Sequence, residues 1–69
     1  TLMNKKIIIS TAMAILSSKF TNEEIEKCKI EAISESKVRI TKSRRTRSMS
    51  IDRLLSKIEK VSDIKELLS

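Results

Sequence analysis

A chain of 69 residues is one domain or part of one, and at this size folding hides only about 60% of the unfolded surface, so a single core supplies no more than about 3–5 kcal/mol. With no histidine, no glycine, no proline and one cysteine, Cys28, the composition excludes disulfides, histidine–cysteine zinc sites, imidazole acid–base catalysis and glycine-rich phosphate loops. The formal net charge of +6 points to a negatively charged partner. No cofactor, metal or catalytic group is expected, and the chain reads as a non-enzyme.

The chain opens Thr1-Leu2-Met3, which reads either as a piece excised from a larger protein or as a chain whose natural start is Met3. Residues 2–20 are the most apolar part: Leu2, Met3, Ile7, Ile8, Ile9, Ala12, Met13, Ala14, Ile15, Leu16 and Phe20 surround a helical wheel. A helix apolar on all sides is buried on several sides or meets another chain. Three readings compete with it. One is a secretory signal built on Lys5-Lys6 and the apolar run, with cleavage after Ala12-Met13-Ala14. Another is a membrane span, for which the run falls short of about 20 apolar residues and is interrupted by Ser10 and Thr11. The third is a strand over Lys6–Ser10, since three consecutive isoleucines favour extended chain.

Thr21-Asn22-Glu23-Glu24 matches a capping box and predicts a second helix running to Ser34–Ser36. Ile25, Cys28, Ala32 and Ile33 would share its face, and Ile30 lies off that stripe. Its acids, Glu23, Glu24, Glu26, Glu31 and Glu35, are placed to fold over the basic segment that follows. Cys28 reads as a small buried residue in a reducing compartment.

Residues 37–50 hold six cations and no acid, equal to the whole net charge. The cations are Lys37, Arg39, Lys42, Arg44, Arg45 and Arg47, all within Lys37–Arg47. Arginine forks match phosphate oxygens two at a time, and a concentrated basic run is the footprint of a polyanion binder. These six are the candidate nucleic-acid-binding residues. With no Trp or Tyr and only Phe20, base stacking has little to work with, so backbone contact with duplex DNA or structured RNA fits better. The bland alternative is a solvated loop or an import address. Lys37-Val38-Arg39-Ile40-Thr41-Lys42 alternates like a strand, giving a short strand at 37–41 that finds no convincing partner in the sequence; an extended connector is the other reading. Arg45-Thr46-Arg47-Ser48-Met49-Ser50 sets arginines upstream of serines as basophilic kinases require, and phosphate on Ser48 or Ser50 would weaken attraction for a polyanion.

Ile51, Leu54, Leu55, Ile58 and Val61 give the clearest helical period in the chain. Ser62-Asp63 then supplies a fresh cap for a short fourth helix carrying Ile64, Leu67 and Leu68. The expected fold is all-α: three or four short helices in one small domain over residues 1–69, with the first helix as central packing element. The expected function is a small intracellular module, cytoplasmic or, in a eukaryote, nuclear, that holds nucleic acid, DNA or RNA, through residues 37–47. The alternatives are an acidic protein surface as partner, or an assembly module whose apolar first helix docks to a second copy or a larger parent protein. No membrane partner is expected.

Overall fold

The computed structural model describes residues 2–69, with side chains from residue 4 onward. Thr1 and the Leu2 and Met3 side chains, counted above with the apolar residues, lie outside the described set. The elements run α1 (Leu2–Ser17), α2 (Asn22–Glu26), β1 (Lys29–Ala32), β2 (Lys37–Lys42), β3 (Arg45–Ser50), α3 (Ile51–Ile58) and α4 (Ile64–Leu67). The all-α expectation is therefore wrong: four helices accompany a three-stranded antiparallel sheet of order β1-β2-β3, and the fold is mixed α/β rather than a helical bundle.

The error lies in the middle of the chain. The Thr21 capping box forms as read, with Thr21 Oγ1 accepting from Glu24 N at 3.3 Å and Glu24 Oε1 accepting from Thr21 N at 3.1 Å. The helix it starts lasts only five residues. Cys28, Ile30 and Ala32 also fit a period of two, and that period wins because β2 offers a partner: Ile30 sits opposite Ile40 and Ala32 opposite Val38. Tertiary pairing overrides local helix propensity here. Ile30, which fitted no helical stripe, was the residue that carried the strand signal.

β2 is the strand read at 37–41, now with partners on both sides. Val38 and Ile40 are fully buried, so their side of the sheet faces the helices. β3 returns through a two-residue loop, Ser43-Arg44, closed by Lys42 opposite Arg45. Such a loop normally calls for glycine or asparagine at positive φ; Ser43 takes that role at φ 57°.

α1 packs against β1, β2, α2 and α3, as expected of a central element, and no strand forms at Lys6–Ser10. It is not buried all round. Ile8, Ala12, Ile15 and Leu16 enter the core, while Ile7 and Met13 are 56% and 44% exposed. On its wet side Thr11 Oγ1 donates to Ile7 O at 2.7 Å and Ser17 Oγ to Met13 O at 2.8 Å, the back-bonding that makes hydroxyls tolerable within a helix. Among the described residues no helix is long and apolar enough to cross a membrane.

α3 ends at Ile58, three residues short of the period read through Val61, and Asp63 opens α4 as the Ser62-Asp63 cap predicted. Ser50 Oγ caps α3 by accepting from Arg53 N at 3.1 Å, and Asp63 Oδ1 caps α4 by accepting from Glu66 N at 2.8 Å. Lys19 Nζ reaches 39 residues along the chain to donate to Ile58 O at 3.0 Å, placing a cation on the free carbonyls of the α3 C-terminus. Leu54, Ile58, Val61, Ile64, Leu67 and Leu68 complete the core with Phe20, Ile25 and Met49; Leu55, read into the same stripe, is half exposed.

Candidate nucleic-acid interface

Strand alternation divides the six basic residues. Side chains of paired residues share a face. Lys37 and Arg39 are out of phase with Val38 and Ile40, so they lie on the outer face with Thr41, Thr46 and Ser48. Lys42, Arg45 and Arg47 are in phase with the buried residues, Arg47 opposite Ile40 and Arg45 opposite Lys42. They are not buried, because the hairpin end runs past the core and β3 stays exposed from Arg45 to Ser48. Arg44 stands at the turn between them. The structure thus gathers Lys42, Arg44, Arg45 and Arg47 at one end and sets Lys37 and Arg39 apart.

Arg39 is also neutralised. Its Nε donates to Glu31 Oε1 at 3.2 Å across the β1–β2 pair. The hydrogen bond and the adjacent positive charge hold the Glu31 carboxyl below its ordinary range. This is the only ion pair among the described residues, so the expected masking of the run by the acidic segment is realised once. Glu24 is taken up by the α2 cap, and Asp63 and Glu66 by the start of α4, where Ser62 N donates to Glu66 Oε2 at 3.3 Å. Lys37, Lys42, Arg44, Arg45 and Arg47 have no carboxylate within ion-pair reach among the described residues.

Cations from the last two helices, a segment of zero net charge in the sequence, join the hairpin end. Lys42, Ser43, Arg44, Arg45, Lys65 and Leu68 line a cleft of about 410 Å³ between the β2–β3 turn and α4. Arg53, Ser56, Lys57 and Lys60 line a second hollow of about 210 Å³ on α3. In the second hollow the Lys57 ammonium is pushed below its ordinary pKa first by partial burial and then by the charges of Arg47, on β3, and Arg53. Lys57 Nζ donates to Ser69 O at 3.2 Å. Sequence reasoning missed Arg53, Lys57 and Lys65 because their own acids, Asp52, Glu59, Asp63 and Glu66, cancel them along the chain; in the fold two of those acids, Asp63 and Glu66, are taken up by backbone N–H groups at the start of α4. The one available signal was the helical spacing of Arg53, Lys57 and Lys60, four and three residues apart, which sets them on one face of a helix.

The remaining features carry little chemistry. The Cys28 thiol donates to Glu24 O at 3.6 Å, and burial raises its pKa against the lowering effect of Lys42. No group of histidine, cysteine, aspartate or glutamate side chains among the described residues could hold a metal ion. Ser48 is exposed opposite Arg39, whereas Ser50 is occupied as the α3 cap. Comparison with known proteins returns no matching family model, no matching curated protein and no matching solved structure.

Proposed function

We propose that this chain is a nucleic-acid-binding module that holds the phosphate backbone on a composite basic face: Lys42, Arg44, Arg45 and Arg47 from the β2–β3 hairpin end, with Arg53, Lys57 and Lys65 from α3 and α4. The observation that carries this reading is the gathering of Lys42, Arg44, Arg45 and Lys65 around the turn cleft, none of them in an ion pair among the described residues, with Arg47 and Arg53 acting on Lys57 nearby. Uncompensated cations raise the local potential and cost stability, and a polyanion relieves that cost while releasing its own counterions. The hairpin end suits a duplex, because the major groove admits a two-stranded β-ribbon. Lys37 and Arg39, on the other face, are secondary contacts at most. An intracellular setting, cytoplasmic or nuclear, goes with this partner and with the unpaired Cys28.

The assembly reading, in which α1 docks to a second copy or a parent protein, draws less support. Ile7 and Met13, its exposed large apolar residues among those described, lie about 120° apart at 3.6 residues per turn and form no single stripe.

The test is fluorescence anisotropy with a labelled duplex over a salt series. Binding should fall linearly on a log–log plot with a slope of about −0.9 per phosphate neutralised. Replacing Arg44, Arg45 and Arg47 by alanine should flatten that slope by about two to three units and weaken all sequences alike. Absence of binding at low salt would remove this function.

A further inference from the structure

We infer that the cleft between the β2–β3 turn and α4 is a site for a terminal phosphate group, so that this face recognises the phosphorylated end of a nucleic acid in addition to its backbone. The inference rests on the function proposed above and concerns one part of the same face.

Four of the six residues lining the cleft are cations, Lys42, Arg44, Arg45 and Lys65, and none is an acid. The other two are Ser43, with a hydroxyl to donate, and Leu68, 4% exposed, as an apolar floor. The volume of about 410 Å³ falls within the range of small-ligand sites, about 300–1,000 Å³. A flat basic surface treats every phosphate alike; a concave one ringed by donors does not. A backbone diester carries one charge and two free oxygens between two sugars. A terminal monoester carries about −1.5 to −2 charge near neutral pH and three acceptor oxygens, and it can enter a notch on all three. Two arginine forks and two ammonium groups supply more donors than a diester can satisfy. No aromatic residue lines the cleft, so the phosphate is recognised and the base is not. A free nucleotide offers the same group, and the experiment separates the two sources.

Three probes are compared at fixed salt: a short duplex with a 5′-phosphate, the same duplex with a 5′-hydroxyl, and a nucleoside diphosphate, with anisotropy for the duplexes and amide NMR shifts for all three. The phosphorylated duplex should bind about five- to tenfold tighter, the scale of one ordinary net hydrogen bond. Lys65→Ala should erase that preference and weaken the hydroxyl duplex only by the loss of one backbone cation, so that the two duplexes then bind alike. Lys65 is exposed, and an unaltered Tm confirms that its variant folds; Arg44→Ala, at the turn, is the second variant. Arg47→Ala, outside the cleft lining, should weaken both duplexes equally. If the duplexes bind alike but the diphosphate shifts the amides of Ser43, Arg44 and Lys65, the site stands with a free nucleotide as its source. Equal duplex binding with the diphosphate silent at those amides overturns the inference and leaves backbone binding intact. Failure of both duplexes to bind at low salt, with the diphosphate silent, overturns the inference and the function together.

Discussion

Ser43 is the one residue among those described at which this glycine-free chain takes a positive φ. A side chain with a Cβ at φ 57° costs about 1–2 kcal/mol relative to its relaxed backbone, and glycine removes that cost at some entropic expense in the unfolded chain. Ser43→Gly should therefore stabilise the fold by about 0.5–1 kcal/mol, read as a rise in Tm of about 3–6 °C by circular dichroism. Lys57 gives a second prediction at this scale. Its pKa is lower folded than unfolded, so between the lowered value and the ordinary 10.5 the unfolded chain binds more protons and stability rises with pH. Charged Lys57 destabilises below that window; the gain appears as pH climbs through it. Lys57→Met should lose that alkaline gain relative to the parent in a Tm–pH series. Glu31 behaves in the opposite sense: its depressed pKa stabilises above the usual carboxylate range and that stability disappears as pH falls through the folded value. Glu31→Gln should flatten the acid limb of the same series.

Elements differ in how plainly they were written into the chain. α3 and α4 were legible because a 3.6-residue period and a capping residue coincided, Ser50 for one and Asp63 for the other. Asp63→Ala should accordingly cost about 1 kcal/mol and lower Tm by about 4–8 °C; an unchanged Tm would show that core contacts alone hold α4. β2 was legible by alternation, yet its neighbours were not. β1 hid inside a pattern that satisfied both periods, and only pairing with Ile40 and Val38 decides between them. β3 has one buried side chain, Met49, so no apolar alternation announces it, and its turn lacks the usual glycine or asparagine. The candidate site was half legible for the same reason. The basic run stood out as a linear density of charge, but strand phase sends Lys37 and Arg39 to one face and Lys42, Arg45 and Arg47 to the other. Folding, and not proximity along the chain, recruits Lys65 and Lys57.

At the scale of the whole molecule the margin is thin. Leu16, Leu54 and Leu67 are fully buried, and truncating any one to alanine costs about 2–5 kcal/mol, comparable to all that a core of this size supplies. Leu54→Ala should lose cooperative thermal unfolding at 25 °C in water and regain it when duplex is added, because a ligand confined to the native state stabilises by mass action; failure of every tested polyanion to restore it would count against the basic face as a binding surface. The sheet carries a last consequence. β3 has a strand neighbour on one side only, and an unpaired strand invites the same strand of another molecule. Arg45 and Arg47 stand on that rim and repel their own copies, so the charges that would hold a polyanion also act as guards against polymerisation. A long polyanion shared between molecules removes the repulsion while drawing rims together, and sub-stoichiometric amounts should raise turbidity where an excess keeps the solution clear.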